Sequence, residues 1–250
     1  MTLAPITLFV YNRPDHTKKV IESLAKNELA VESDLYIFSD GPKHESDVAA
    51  VATVRAYAES IHGFKSVRVI HRPENYGLAR SVIEGVTEIV NTYGRIIVLE
   101  DDLVTSPYFL RYMNRGLDLY EFNDQVISVH GYIYPFMGPR PDTFFLREID
   151  CWGWGTWKRG WDLFNPDGQM LWNELRRRKQ AKLFNLQNSY HFTTILKEQI
   201  AGLNSSWAIR WYASAFLHGK LGLYPRQSLV KNMGFDNSGV HSGRFNIFDV

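Results

Sequence analysis

The chain has 250 residues, 45% of them hydrophobic and 22% charged, a balance that excludes an intrinsically disordered protein. Its 28 basic and 27 acidic side chains leave a formal net charge of +1, so no cationic excess exists to displace counterions from a nucleic acid. The single cysteine, Cys151, excludes an intrachain disulfide or a cysteine-based zinc site, and fits a reducing compartment.

The opening MTLAPITLFVYNRP has an apolar run ending at Tyr11, too short for a signal h-region or a membrane span. No later stretch reaches spanning length, so the chain reads as cytoplasmic. Residues 6–11 (ITLFVY) read as a buried strand, followed by a helix that starts at Pro14 and carries Val20, Ile21 and Leu24 on one face. Residues 35–39 (LYIFS) form a second strand ending at Asp40-Gly41-Pro42. A helix over 45–60 and a third strand over 67–71 follow. Positions 78, 82, 83, 86, 89 and 90 are aliphatic, the stripe of an amphipathic helix. Residues 96–99 (IIVL) are aliphatic throughout, as in a strand covered on both faces. Ser106-Pro107 reads as an N-cap and first-turn proline for a helix with Leu110, Met113 and Leu117, and 126–129 is a fifth strand.

This β-α alternation predicts an α/β fold with a mostly parallel central sheet flanked by helices. From about Asp142 the texture changes to aromatics, glycines and one or two helices. The chain therefore reads as one domain over 1–250, with a ligand-binding half over 1–130 and a helical and loop half over 131–250 packed on the same sheet.

The strand IIVL runs directly into Glu100-Asp101-Asp102. Ligands of open α/β sheets gather at the carboxyl ends of strands, and three adjacent acids repel one another unless a hard cation relieves them. Mg²⁺ or Mn²⁺ bridging these carboxylates to phosphate oxygens is the expected arrangement. The plainer alternative is that the acids complement the helix that follows. Neither G-x-x-x-x-G-K-[ST] nor G-x-G-x-x-G occurs, so a nucleotide would be held by metal and side chains.

Several stretches in order, VYNRPDHTKKVIESL, YIFSDGPK, ENYGLARSVIEGV, IIVLEDDLVTSPYF, DCWGWGTWKRGW and GFDNSGVHSG, resemble the GT-A glycosyltransferases. Within them the chain is most similar to the N-acetylglucosaminyltransferase I type and related bacterial sugar transferases. The resemblance implies a Rossmann-like GT-A sheet with an acceptor-side C-terminal part. It implies a nucleotide-sugar donor, UDP-linked, and a saccharide or lipid-linked saccharide acceptor. It places Arg13 in the nucleotide pocket, Asp40 on the imide N–H of uracil, Glu100 and Asp101 on the donor sugar and ribose, and Asp102 on the metal. His241, in GVHSG, would be a second metal or diphosphate ligand. Asp40 also reads as a turn residue before Gly41-Pro42, and His241 as a solvated loop histidine.

The family's acidic catalytic base falls where this chain reads Ser206-Trp207-Ala208-Ile209-Arg210-Trp211, without any acid. Asp150 is the substitute candidate for a base in an inverting transfer, with Glu198 and Asp162 behind it. Trp152, Trp154, Trp157 and Trp161 crowd ten residues, with Trp172 close behind. Most of them belong in a core, with Trp154 expected to line the acceptor cleft and the glycines between them to admit donor sugar. The run Arg176-Arg177-Arg178-Lys179 reads as a solvated helix face, or as a peripheral contact with anionic lipid. Two rival functions remain: a sugar-1-phosphate nucleotidyltransferase, which would want a glycine-rich loop where Tyr11-Asn12-Arg13-Pro14-Asp15 stands, and a non-catalytic nucleotide-sugar or glycan binder.

Overall fold

The computed structural model describes residues 2–135 and 138–235. In chain order its elements are β1 (Ile6–Val10), α1 (Pro14–Leu24), β2 (Asp34–Ser39), α2 (Val48–Glu59), β3 (Ser66–His71), α3 (Gly77–Tyr93), β4 (Arg95–Glu100), β5 (Leu103–Thr105), α4 (Phe109–Leu119) and β6 (Val126–His130). The second half adds β7 (Thr143–Leu146), β8 (Trp154–Trp157), α5 (Lys158–Trp161), α6 (Gly168–Arg177), α7 (Ala181–Phe184), α8 (Phe192–Ile200), α9 (Trp207–Leu217), β9 (Leu221–Pro225) and β10 (Val230–Asn232).

Eight strands form one sheet in the order β3-β2-β1-β4-β8-β6-β9-β7. β7 and β8 run against the other six, so the sheet is mostly parallel, flanked by helices as the sequence predicts. The residues from 131 onward supply three strands of this sheet, and β8 sits in its middle, between β4 and β6. WGTW, read from sequence as part of an aromatic loop segment, is thus a buried central strand.

Strand side chains alternate between faces. Ile6, Leu8, Leu35, Ile37, Ile97 and Leu99 pack with α1, α2 and α4. Phe9, Tyr36, Phe38, Ile96 and Val98 pack with α3, α6, α8 and α9 on the other face. That double burial explains the uninterrupted apolar runs of β1 and β4. The helix at Ser106-Pro107 starts later than predicted. Ser106 closes a turn, with its carbonyl accepting from Phe109 N–H at 3.1 Å, and α4 begins at Phe109. β5 and β10 pair as a separate antiparallel ribbon, Leu103 opposite Asn232. Among the described residues no helix is long and apolar enough to cross a membrane.

Candidate active site

β1 and β4 are adjacent and in register, Phe9 opposite Glu100, so the loops leaving their carboxyl ends start side by side. The loop after β1 carries Arg13 just before Pro14 starts α1. Its guanidinium donates through Nε to Asp101 Oδ2 at 3.3 Å, and through Nη2 to Asp101 Oδ1 and to Asp102 Oδ2, the latter at 3.0 Å. This fork on a carboxylate is geometry that a lysine would not reproduce. Burial would lower the Arg13 pKa, but the two aspartates hold it above its ordinary value. Asp101 is 5% exposed, and its burial outweighs the guanidinium and raises its carboxyl above the usual range. Glu100, half-buried at the end of β4, is pushed up to about 8 by burial and then by repulsion from Asp102 and Asp101. It accepts no hydrogen bond among the described residues.

The ribbon of β5 and β10 lays a second segment against the triplet. Met233 N–H donates to the Asp102 carbonyl at 2.8 Å, and a Cβ on Gly234 would meet Asp102 Oδ2 at 2.5 Å. His241, eight residues beyond Met233, lies outside the described residues. Among those described, no group of three or more His, Cys, Asp and Glu side chains is arranged to hold a metal.

Asp40 occupies the end of β2, and the structure gives it a task the sequence only hinted at. Oδ1 accepts from the N–H groups of Gly41 and Tyr76 at 2.9 and 2.8 Å; Oδ2 accepts from Gly77 N–H and Asn75 Nδ2 at 2.9 and 3.3 Å. These four donors use the carboxylate's lone-pair sites and fasten the β2 loop to the start of α3. All four donors come from the chain itself, so Asp40 fastens this loop in the ligand-free structure, and the imide N–H of a uracil would have to displace one of them.

A second acidic pair lies near the triplet. Asp150 is 9% exposed and Glu148 is 5% exposed. The Tyr134 hydroxyl lies 2.8 Å from Glu148 Oε1 and 3.4 Å from Asp150 Oδ2, and Trp152 N–H donates to Asp150 Oδ1 at 2.6 Å. Tyr224 Oη fixes the backbone of the same segment, accepting from Asp150 N–H and donating to the Glu148 carbonyl, both at 3.1 Å. Burial pushes Asp150 up to about 6, against the Trp152 N–H and Tyr134. Glu148 is pushed up to about 7 by burial and then by Asp150. Asp150 also raises Glu100, and Cys151 feels Asp150, Glu100 and Asp102 together. One acidic basin therefore joins the ends of β4 and the segment before β8.

Trp154 does not line a cleft. It is 0% exposed, stacked on Trp207 and tilted against Trp161 and Trp211, because β8 is an interior strand whose ring faces α9. The neighbouring glycines serve packing as well: a Cβ on Gly153 would strike Val230 at 2.7 Å, and one on Gly155 the Ile96 carbonyl at 2.9 Å. Trp152 is the partly exposed ring of the cluster, edge-on to Tyr132 and Phe235. Asp162 is engaged by Lys158 at 2.6 Å, and Glu198 is exposed on α8 in the helical layer. In the basic run, Arg177 and Arg178 both bind Glu174, and Arg178 also caps the Leu217 carbonyl at 2.6 Å.

The sequence reading overlooked Tyr134 and Glu148. Glu148 and Asp150 are two apart, the spacing that puts side chains on one side of an extended chain, and that signal was available. Tyr134 had none.

A family profile described as glycosyl transferase family 2 matches residues 6–192, from β1 to the start of α8 and across both acidic groups. The chain belongs to glycosyltransferase family 2. Solved structures of TarS from S. aureus are similar in fold. One, of TarS residues 1–349, matches with a TM-score of 0.53 and 11% identity, covering 91% of this chain and 59% of that one. Another TarS structure matches with a TM-score of 0.49 and 11% identity, covering 91% and 36%. This chain thus spans about a third to three fifths of the length of those TarS chains. No curated protein matches it. As a family 2 member it carries the Rossmann-like GT-A sheet, and Arg13, Glu100, Asp101 and Asp102 stand at the carboxyl ends of its adjacent strands β1 and β4.

Proposed function

We propose that the chain transfers a sugar from a nucleotide-sugar, UDP-linked, to a saccharide or lipid-linked saccharide acceptor, with inversion and with Mn²⁺ or Mg²⁺ at Asp102. The observation that carries the reading is the acidic triplet at the carboxyl end of β4, gripped by Arg13 from the end of β1. Family membership supports glycosyl transfer, and UDP rests on the resemblance in sequence. The donor set suits a divalent ion held as Mg²⁺ usually is, by one or two carboxylates plus phosphate oxygens and water. Arg13 takes up Asp101 and one oxygen of Asp102, leaving the second Asp102 oxygen and Glu100 to face a cation. When bound, such an ion would neutralise charge developing on the departing diphosphate.

The chain's own residues would do the rest. Arg13 can exchange a carboxylate for a diphosphate oxygen, since its fork suits both. Asp150, with a conjugate acid at about 6, is ionised at neutral pH and can take the proton of the acceptor hydroxyl. The acceptor oxygen then bonds to the anomeric carbon as the bond to the diphosphate oxygen breaks, and the proton stays on Asp150. Trp152 N–H and the Tyr134 hydroxyl hold that carboxylate in place. Action at the cytoplasmic side, with peripheral membrane contact, belongs to the same proposal.

A thermal-shift screen of nucleotide-sugars with and without Mn²⁺ tests it, because a ligand of the native state raises the melting temperature. A UDP-sugar shift that grows with Mn²⁺, and UDP release with an acceptor mixture, are the expected results. Pyrophosphate release from a nucleoside triphosphate and a sugar phosphate would replace this reading with nucleotidyl transfer. Binding without turnover would leave a non-catalytic binder.

A further inference from the structure

α4 has two faces. Phe109, Leu110, Met113 and Leu117 enter the core, while Tyr108 and, on the helix, Arg111, Tyr112 and Arg115 follow at spacings of three and four along the outer side. Opposite this stripe runs the segment that leaves β9, with Arg226 and Leu229, beside the start of β7. Between them is an open groove of about 550 Å³, within the range of small-ligand sites.

Three guanidiniums meet there in a chain whose net charge is only +1. Arg115 is exposed and has no partner among the described residues. Arg111 pairs with Glu28 at 2.8 Å, and Arg226 with Asp142 at 3.4 Å, where the Asp142 side chain is 94% exposed. Three cations thus face two carboxylates. Exposed pairs of this kind hold their partners weakly, so both arginines are free to turn to a better anion. Tyr108 is 55% exposed, a flat apolar face of the sort sugar C–H groups cover.

The ribbon of β5 and β10 runs from the acidic basin to the groove. Leu229 is at its rim, and the extended run through β10 ends at Met233, whose N–H binds the Asp102 carbonyl. Four residues of strand span about 13 Å. We infer that this groove holds a phosphate-bearing part of the acceptor, seated on Arg111, Arg115 and Arg226, while the acceptor's reacting hydroxyl lies at Asp150. The assignment to an acceptor rests on the glycosyl-transfer reading; the anion site itself does not. The phosphate could belong to a sugar or to a lipid headgroup, and both present the same oxygens to the arginines.

The test uses the full chain and the Arg115→Ala/Arg226→Ala double variant, both of whose side chains are exposed. Calorimetry measures binding of glucose 6-phosphate and of glucose; pelleting measures binding to vesicles of phosphatidylglycerol against phosphatidylcholine. Glucose 6-phosphate should bind and glucose should not, with affinity falling about tenfold or more in the double variant, the change expected for a lost charge-assisted hydrogen bond. Loss confined to phosphatidylglycerol vesicles would place the phosphate on a lipid. Equal binding of both probes by wild type and variant, or binding of neither by wild type, overturns the inference. A UDP-sugar melting shift, measured on the same samples, reports on glycosyl transfer separately: its absence alongside intact groove binding would remove the donor reading and leave the anion site.

Discussion

The guanidinium of Arg13 donates to both oxygens of Asp101, which lies 88 positions further along the chain at the end of the adjacent strand. Both side chains are largely buried, 19% and 7% exposed, so the pair is neither a solvated surface contact nor replaceable by water. Removing one partner of such a pair leaves an uncompensated charge and costs about 3–5 kcal/mol. Arg13→Ala should therefore destabilise the chain by about 3 kcal/mol in chemical denaturation at pH 7 and abolish the UDP-sugar melting shift. Arg13→Lys, which keeps the charge but loses the fork, should fall between. An Arg13→Ala chain of wild-type stability would mean that the pair is solvated.

The acidic basin also sets how stability varies with pH. Glu100 and Glu148 are raised from an ordinary value of 4.5 to about 8 and about 7, so the folded chain holds protons that the unfolded chain has released. Their contribution is full below pH 4.5 and is lost as pH rises through 7 and 8. His130, buried and lowered from 6.5 to about 3, acts oppositely, but only below pH 6.5. Between pH 6.5 and pH 8 the carboxyls act alone, and the ligand-free chain should lose about 3 °C in melting temperature for each kcal/mol they give up. Glu100→Gln should flatten that slope. A melting temperature that rises over this interval in wild type would contradict the burial of these acids.

Asp150 should govern the acidic limb of the rate profile, near pH 6. Asp150→Asn should lower kcat by about 10²–10⁴, the usual worth of a general base, while the UDP-sugar melting shift survives. Tyr134 lowers both carboxyls by hydrogen bonding, so Tyr134→Phe should move the acidic limb to higher pH and spare the rate at pH 8. A uniform loss of rate at every pH would reduce Tyr134 to a packing residue.

The alternation of strands and helices up to His130 could be read directly, because β1, β2 and β4 are buried on both faces and α3 carries a clean apolar stripe. Glu100-Asp101-Asp102 stood out for the same reason: charge directly after an aliphatic strand. What could not be read was pairing across distance. Nothing local in WGTW says that it inserts antiparallel between β4 and β6, since its tryptophans suit a cleft and a core equally well. Likewise, the sharing of Asp40 among three backbone N–H groups depends on where residues 75–77 fold back, which no motif at Asp40 encodes.

Trp152 and Trp154, two residues apart on either side of Gly153, whose φ of +69° breaks the extended run, separate stability from recognition. Trp154 is enclosed by Trp161, Trp207 and Trp211 and is 0% exposed. Truncating a buried indole forfeits its contacts and leaves a cavity, so Trp154→Ala should cost about 3–5 kcal/mol, with Trp154→Phe recovering part of it. Any activity left in the folded fraction of either variant should keep its acceptor KM, because the ring reaches no ligand. Trp152 is partly exposed next to Asp150, and its truncation leaves a shallower gap that solvent can fill. Trp152→Ala should therefore cost less stability than Trp154→Ala and raise the acceptor KM without altering the donor-induced melting shift. Denaturation curves paired with acceptor titrations for the two variants decide the point. A raised acceptor KM in Trp154→Phe, with Trp152→Ala unchanged, would put the wrong tryptophan at the cleft.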